Sequence, residues 1–538
     1  MNALTTPGRR AFLGGAAALI GAGVARPLFA QAAPSATLPR AANGQPMNLI
    51  LYFTDEMRAD ALACYGNPVT KTPNFDKLAS EGALFRNCHV QNPVCAQSRC
   101  SMLTGWPTSV RGHRSLYYLL QDDEPNMFRY LRQAGYDVFW FGKNDALTPD
   151  AFADSVTEWE NAMSPANLAR SGMGAAMRNF DKNAPTTMLF PGGGDRRNTL
   201  DYPMVQDAIK VLERRESDRP FCIFLPLLEP HPPYTAPEGF DTMYNPSDLP
   251  ALVPPGLPDK PLFHSAIRQR FGLDKVSDAT LRKVRATYYG MVSYSDWLLG
   301  ELMDAMERTG RDKDTALFVS SDHGDYAGDY GLIEKWPSGL ESCLTHVPLI
   351  ARVPGGKQGI VANDMVELYD IMATFLELGG TRATHTNFAR SLMPQIAGGP
   401  GDPMRAAFSE GGYNIYEPQA FEPRLGGLYG NKTDLQNDRP ETIERCASIK
   451  TQRHTYIARP SGVSELYDRQ VDPMEEHNLF NARSHASIRD GLQRQLLDWY
   501  INTSGVPGTV RDARDMPPFY RNEVFPDAKT RAYQLLDD

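Results

Sequence analysis

Residues 92–105 read Asn92-Pro93-Val94-Cys95-Ala96-Gln97-Ser98-Arg99-Cys100-Ser101-Met102-Leu103-Thr104-Gly105, and the rest of the sequence is organised around them. The Asn-Pro pair favours a turn before Cys95, and a helix is predicted over residues 98–103 with Ser98 as its N-cap. Cys95 is then expected at the mouth of this helix, where free N–H groups and the helix dipole favour anions. Arg99 lies within one helical turn of Cys95. A polar nucleophile beside a fixed cation at a helix start suits an oxyanion ester.

Composition indicates a soluble globular protein. The chain has 538 residues, and its formal net charge is -9 at pH 7. This length predicts two or more domains, or one large core with a smaller unit appended. The mild acidity argues against a nucleic-acid partner. Proline and glycine are abundant but scattered, which favours long loops around a sheet.

Residues 1–32 have the features of a targeting segment. Arg9-Arg10-Ala11-Phe12-Leu13 precedes an apolar run over residues 16–24, and Ala30-Gln31-Ala32 offers a cleavage site. The paired arginines resemble a twin-arginine export signal, with an ordinary secretory signal as the alternative. The apolar run is short and no second one follows, so no stable membrane span is expected. We therefore expect the twin-arginine export machinery as a partner, a linker over residues 33–46, and a periplasmic or secreted mature protein.

Export of an already folded chain also affects how the cysteines are interpreted. The sequence contains seven cysteines. Because folding would take place in a reducing cytoplasm, these cysteines need not form a disulfide framework. The sequence reveals no pairing among them.

Two predicted buried strands lead into acidic and histidine residues, whose side chains are of types that can bind metal ions. The apolar run over residues 48–54 leads into Asp55 and Glu56, and the run over residues 315–321 leads into Asp322-His323-Gly324. Open α/β sheets place their sites at the carboxyl ends of strands. Taken alone, two adjacent acids are also common in solvated turns.

Two further side chains follow predicted strands. Lys143 comes after the strand over residues 136–141. His231 comes after the strand over residues 221–225 and lies between two prolines, which hold it stiffly for donation to a leaving oxygen. Considered singly, such a lysine is usually solvated and such a histidine is usually structural.

The remaining elements are predicted from pattern alone. Residues 146–200 carry little motif information and are interpreted as an insertion that shapes the pocket. Residues 346–350 are predicted as the last core strand, 366–378 as a closing helix, and the chain beyond about 385 as short alternating strands. Further helices are predicted over residues 124–135, 202–214, 279–308 and 487–500.

The segment around Cys95 resembles the signature of type I, formylglycine-dependent sulfatases of the alkaline phosphatase-like superfamily, which reads Cys-x-Pro/Ala-Ser-Arg and then Ser-x-Leu-Thr-Gly. Gln97 stands where the family usually has proline or alanine. Other family segments agree in order and spacing across residues 47–480. They are Thr72–Ala79, Gly142-Lys143, His231–Tyr234, Asp322–Gly324, Gly331–Lys335 and Ser464–Asp468.

The resemblance implies a fold and a domain organisation. We expect an α/β fold with a large central, mostly parallel sheet flanked by helices. This catalytic sulfatase domain would occupy residues 47–385. A smaller C-terminal α+β subdomain with an antiparallel sheet, followed by a tail, would occupy residues 386–538.

The resemblance also implies a chemistry. In the family, a formylglycine-generating enzyme converts the cysteine to formylglycine (3-oxoalanine), whose hydrate attacks the sulfur of a sulfate ester. The implied catalytic residues are Cys95, Arg99, Lys143, His231 and Lys335. The implied ligands of one divalent cation are Asp55, Glu56, Cys95, Asp322 and His323. Mostly oxygen ligands favour Ca²⁺, and the histidine leaves Mn²⁺, Mg²⁺ or Zn²⁺ open.

Three functions follow from these residues. The first is an exported sulfatase that acts on a small-molecule or carbohydrate sulfate ester. The second is a phosphonate or phosphate ester hydrolase on the same scaffold, because Asp145 replaces the histidine of the family's Gly-Lys-x-His motif and His323 is present. Asp145 is expected to pair with Lys143 or to meet a cationic part of the substrate. The third is a non-catalytic exported binding protein with an unmodified Cys95, which Gln97 motivates.

Overall fold

The computed structural model describes residues 46–179 and 188–506. The predicted targeting segment, nearly all of the predicted linker and the tail beyond residue 506 lie outside these residues. Their assignments stay predictions.

Thirteen strands form two sheets in the described part of the chain. They are β1 (Asn48–Thr54), β2 (Ala83–His89), β3 (Asp137–Phe141), β4 (Glu158–Glu160), β5 (Phe221–Pro226), β6 (Thr315–Ser321), β7 (His346–Val347), β8 (Leu349–Arg352), β9 (Ile360–Glu367), β10 (Ala407–Gly411), β11 (Cys446–Lys450), β12 (His454–Ala458) and β13 (Glu465–Asp468). The large sheet has the order β4-β3-β5-β1-β6-β8-β2-β7, with β9 paired to β2. Strands β4, β3, β5, β1 and β6 are parallel neighbours, whereas β8 is antiparallel to both β6 and β2. The predicted large, mostly parallel sheet is confirmed.

Helices cover both faces of this sheet. They are α1 (Pro73–Glu81), α2 (Cys95–Thr104), α3 (Met127–Gln133), α4 (Pro149–Ser155), α5 (Pro165–Arg170), α6 (Met173–Arg178), α7 (Asp201–Arg214), α8 (Leu262–Arg270), α9 (Asp278–Thr309), α10 (Ser342–Thr345), α11 (Asp370–Leu378), α12 (Met393–Ile396), α13 (Gly430–Asp438) and α14 (Ala486–Thr503). Alternate residues of β1 enter different cores. Ile50 and Tyr52 pack in the core that includes α1, α7 and α9, whereas Leu51 and Phe53 pack in the core that includes α2, α3 and α11. Burial on both faces explains why β1 is a continuous apolar run.

Three predicted boundaries were wrong. Residues 346–350 are not the last core strand, because β9 follows them and pairs with β2 in parallel. The closing helix begins only at Asp370. Strand β9 escaped the sequence analysis because Asn363 and Asp364 interrupt its apolar pattern, and the pairing register with β2 shifts at that point. Helix α3 is shorter than residues 124–135, because the Asn126 side chain accepts from the backbone N–H of Arg129 and caps the helix there.

The small sheet is antiparallel and carries α14 on one face. Its order is β10-β11-β12-β13. Leu496 and Trp499 of α14 pack on this sheet, and Trp499 stacks on Phe408 with ring centroids 4.8 Å apart. The predicted C-terminal antiparallel sheet is confirmed. The segment before it still belongs to the core of the large sheet, through Phe388 and Ile396.

The state of the cysteines and the apolar character of the helices can be compared with the sequence expectations. All seven cysteines lie in the described residues, and each is free. Within residues 46–179 and 188–506, no helix is both long and apolar enough to cross a bilayer.

Helix α1 is capped by a residue of α9. The buried Asp296 Oδ1 accepts from the backbone N–H groups of Asn74 and Phe75 at 2.9 and 2.8 Å, and Oδ2 accepts from Asn74 Nδ2 at 2.9 Å. A Cβ at Gly300 would lie 2.7 Å from Asn74 Nδ2, so the glycine permits this close approach of the two helices.

We predict that Asp296→Ala lowers the free energy of unfolding by about 2 kcal/mol, because buried N–H donors lose their acceptor. Urea denaturation followed by circular dichroism measures this loss. The matched control is Asp304→Ala, which removes an exposed carboxylate from the same helix. Equal midpoints for the two variants would show that the cap does not stabilise the fold.

Candidate active site

The pairing of β1 with β6 brings two acids together. The parallel register places Thr54 opposite Ser321, so the next residues, Asp55 and Asp322, lie side by side at the carboxyl ends of the strands. The backbone N–H of Glu56 donates to Asp322 Oδ1 at 3.1 Å. The strand-end position predicted for these acids is therefore correct.

Helix α2 delivers Cys95 to the same edge. The helix begins at Cys95, with Val94 as its N-cap, and the backbone N–H of Ser98 donates to the carbonyl of Val94 at 2.9 Å. The predicted N-cap role of Ser98 is wrong, because the helix starts one turn earlier than expected. The Ser98 hydroxyl instead donates to the carbonyl of Asp322 at 2.6 Å. This bond ties the first turn of α2 to the end of β6, and Cys95 lies at the helix mouth as predicted.

The thiol of Cys95 is enclosed by polar groups. Its Sγ lies 3.2 Å from His323 Nε2, 3.5 Å from Asp55 Oδ1 and 3.7 Å from Lys143 Nζ. Burial, with Asp55 as the next cause, raises the pKa of the Cys95 thiol to about 12. The unmodified thiol is therefore protonated at neutral pH, and this environment does not activate it as a thiolate.

Four of the five predicted metal ligands form one cluster. One ligand atom each from Asp55, Cys95, Asp322 and His323 lies within 4.8 Å of the others. His323 Nδ1 donates to the carbonyl of Gly324 at 2.9 Å, which leaves the Nε2 lone pair free to face the cluster. A Cβ at residue 324 would lie 2.0 Å from the carbonyl oxygen of Cys343, so only glycine fits there. These donors fit a divalent cation.

Glu56 lies beside this cluster, in a second group with Asp55 and His231. Its Oε2 accepts from Lys335 Nζ at 2.9 Å, and its Oε1 is buried without a hydrogen-bond partner among the described residues. Burial raises the pKa of Glu56, although Lys335 opposes the shift. An unpartnered buried carboxylate oxygen is consistent with a cation nearby.

Three cations surround Cys95. Arg99 is buried, and it donates from Nε to Asp322 Oδ2 at 2.8 Å and from Nη2 to Asp55 Oδ2 at 3.1 Å. Lys143 Nζ lies 2.8 Å from both Asp55 Oδ2 and Asp145 Oδ2. Burial alone would lower the pKa of Lys143, but Asp145 and Asp55 outweigh it and hold that pKa well above its usual value. Lys143 therefore stays charged.

Lys335 is the third cation, and it contacts His231. Its Nζ donates to His231 Nε2 at 2.6 Å, while His231 Nδ1 donates to the carbonyl of Pro232. Burial, followed by the charge of Lys335, lowers the pKa of His231 well below its usual value. His231 is thus a neutral imidazole, and its Nε2 accepts a hydrogen bond from Lys335 Nζ.

A backbone contact fixes the loop that carries Lys143. The N–H of Lys143 donates to the carbonyl of Pro226 at 2.8 Å. A Cβ at Gly142 would lie 2.2 Å from the same carbonyl oxygen, so a side chain at residue 142 would displace the lysine.

The C-terminal part of the chain adds a residue that the sequence analysis missed. Lys432 of α13 is buried and pairs with Glu334 Oε1 at 2.7 Å, and Glu334 Oε1 also lies 3.5 Å from Lys335 Nζ. No motif marks Lys432, because a single lysine in a polar helix is usually solvated. Its role becomes visible only when the tertiary contact is known.

Cys95 and the residues around it open onto a cavity of about 760 Å³. Its floor includes Cys95, Lys143, Asp145, His231 and Lys335. Its walls come from described residues within 163–177 and 190–201 and from the segment that carries Tyr429 and Lys432. These described parts of the predicted insertion line the pocket, as expected.

Comparisons with known proteins identify relatives of this chain. The sulfatase family model matches residues 47–381. The multifunctional alkaline phosphatase superfamily protein PehA of Trinickia caryophylli is 27% identical over 511 residues, which cover 85% of this chain and 95% of that protein. Human iduronate 2-sulfatase is 25% identical over 510 residues, which cover 81% of this chain and 91% of that enzyme.

Solved structures support the fold. The phosphonate monoester hydrolase of Agrobacterium radiobacter superposes with a TM-score of 0.69 at 23% identity, and the match covers 85% of this chain and 96% of that one. The predicted alkaline phosphatase-like α/β architecture is thereby confirmed. Because the family match spans more than half of the 538 residues, the chain belongs to the sulfatase family, whose enzymes are sulfuric ester hydrolases.

Proposed function

We propose that this protein hydrolyses a sulfate ester, with a formylglycine made from Cys95 as the source of the nucleophile and one divalent cation bound beside it. The observation that carries the proposal is the position of Cys95. It lies at a helix start, within 4 Å of Asp55, His323 and Lys143, on the floor of the cavity. In the overall reaction, the ester and water give an alcohol, sulfate and a proton.

Two groups would complete this site. A formylglycine at residue 95 would supply a hydrated aldehyde, and a divalent cation held by Asp55, Asp322 and His323 would polarise the ester oxygens. Glu56 stays a proposed ligand, on the basis of its unpartnered Oε1. The oxygen-rich donor set favours Ca²⁺.

The chain's own residues neutralise charge and move a proton. Arg99 on α2, Lys143 after β3 and Lys335 in the loop before α10 are cations held by ion pairs around the position of the transferring group. A proton taken up from water at His231 Nε2, which lies 2.6 Å from Lys335 Nζ, would pass to the leaving oxygen, while Lys335 keeps its charge. The hydrogen bond from His231 Nδ1 to Pro232 keeps Nε2 aimed at this path.

A phosphonate or phosphate ester hydrolase is the second candidate. Two residues favour it. Asp145 replaces the histidine of the sulfatase motif and pairs with Lys143, and His323 belongs to the cluster of possible metal ligands. A non-catalytic binding protein is the third candidate, since the buried Gln97 departs from the modification motif.

We predict that the tryptic peptide Asn87–Arg99 carries an aldehyde at residue 95 when the protein is made with a formylglycine-generating enzyme. Mass spectrometry of that peptide measures the conversion. We expect Cys95→Ala to lower kcat roughly a thousandfold or more, because the nucleophile is lost. Cys100→Ala, which removes a buried thiol from the same helix, is the matched control and keeps its activity. An intact cysteine in an inactive protein would favour the binding-protein function.

We predict faster turnover of p-nitrophenyl sulfate than of a phenylphosphonate ester. The expected difference in kcat/KM is about tenfold or more, equivalent to about 1.4 kcal/mol of transition-state stabilisation. Release of the phenolic product, followed by absorbance, measures both rates under the same conditions. The opposite order would assign the site to phosphonate esters.

We predict that chelation lowers the thermal midpoint of unfolding and that Ca²⁺ restores it. A ligand at a hundred times its Kd stabilises a native state by about 2.7 kcal/mol. In Asp322→Asn the restoration should be largely lost, whereas Asp304→Asn on the surface of α9 should behave as the parent protein does. A wild-type midpoint that responds to neither chelator nor Ca²⁺, Mn²⁺, Mg²⁺ or Zn²⁺ would argue against a cation site.

A further inference from the structure

Each of the two lysines on the cavity floor contacts two acids, and Asp145 is the one of these four acids that lines the cavity without a second cation beside it in the described part of the chain. Lys335 Nζ lies 2.9 Å from Glu56 Oε2 and 3.5 Å from Glu334 Oε1. Glu334 has a cation of its own, because Lys432 Nζ lies 2.7 Å from the same oxygen. The positive charge of Lys432 therefore offsets the negative charge of Glu334.

Lys143 also contacts two acids, and one of them, Asp145, has no second cation within ion-pair distance among the described residues. Its Nζ lies 2.8 Å from Asp55 Oδ2 and 2.8 Å from Asp145 Oδ2, and Asp55 also pairs with Arg99. Among residues 46–179 and 188–506, only Lys143 has its cationic group within salt-bridge distance of Asp145. Asp145 lines the cavity beside Cys95, and its side chain is 24% exposed. It therefore adds negative charge at the place where the ester must bind.

We propose that Asp145 makes this site selective for esters whose transferring group carries a single negative charge. The inference rests on the proposed function, and it names the substrate class more closely. Sulfate monoesters and phosphonate monoesters carry one negative charge at neutral pH. Phosphate monoesters carry close to two. The second charge would lie near Asp145, in a partly buried setting where repulsion is stronger than in water.

The same charge affects product release. A sulfate monoester with one negative charge reacts with water to give an alcohol, the sulfate dianion and a proton. The product ion thus carries one more negative charge than the substrate. Asp145 therefore repels product more than substrate, which favours release of sulfate.

The kinetic test compares two esters with the same leaving group, p-nitrophenyl sulfate and p-nitrophenyl phosphate. In Asp145→Asn we expect the ratio of kcat/KM for sulfate over phosphate to fall about tenfold or more, with the phosphate rate rising. Asp145→Glu retains the charge and should keep a ratio near that of the parent. Asp150→Asn makes the same charge change at an exposed residue of α4, outside the cavity, and should leave the ratio unchanged.

A binding measurement tests the inference without turnover. Calorimetric titration of the full-length, Ca²⁺-loaded protein compares methanesulfonate, a monoanion, with inorganic sulfate, a dianion of similar shape. We expect the parent protein to bind methanesulfonate more tightly than sulfate. In Asp145→Asn, the ratio of the Kd for sulfate to the Kd for methanesulfonate should fall about tenfold. Unchanged preferences in both the kinetic and the binding experiments would overturn the inference. If p-nitrophenyl sulfate is not hydrolysed but the preference in binding depends on Asp145, charge selectivity is supported and the proposed reaction fails.

Discussion

The site depends on the hydrogen bonds of Arg99 to two carboxylates that the sheet places side by side. The parallel register of β1 and β6 puts Asp55 next to Asp322, and two like charges at that distance repel each other. Arg99 donates to both from the first turns of α2 and joins the helix to the sheet edge. Loss of one partner from a buried ion pair typically costs about 3–5 kcal/mol, because a charge is left uncompensated. The position of Cys95, one turn earlier on the same helix, depends on this contact.

The two lysines beside this ion-pair cluster also pair with acids. Lys143 shares Asp55 with Arg99, and Lys335 joins Glu56 to His231. Each cation has a carboxylate partner, so the floor holds many charges in a small buried volume. Such an arrangement is fixed before a substrate arrives, and electrostatic catalysis benefits because little reorganisation is needed during the reaction.

Strand-end residues could be predicted from the sequence because a short apolar run followed by acids has few structural solutions. Asp55, Glu56, Asp322 and His323 were placed correctly at one sheet edge for this reason. The start of α2 was missed by one turn, because the sequence does not show that the Ser98 hydroxyl has a partner in Asp322. Strand β9 was missed because its polar centre hides its pairing with β2. Lys432 could not be predicted, since its burial arises from a contact between segments about a hundred residues apart.

The cavity has a floor and walls with separate origins in the chain. The floor is built from the start of α2 and from loops that follow β3, β5 and β6, whereas the walls come from the insertion after β3 and from the segment around α13. Substitutions in the walls can therefore change which alcohol fits without disturbing the ion pairs below. A scaffold of this kind can diversify by mutation of its periphery while its reaction centre stays intact, so one ancestral chemistry can serve descendants that live on different nutrients.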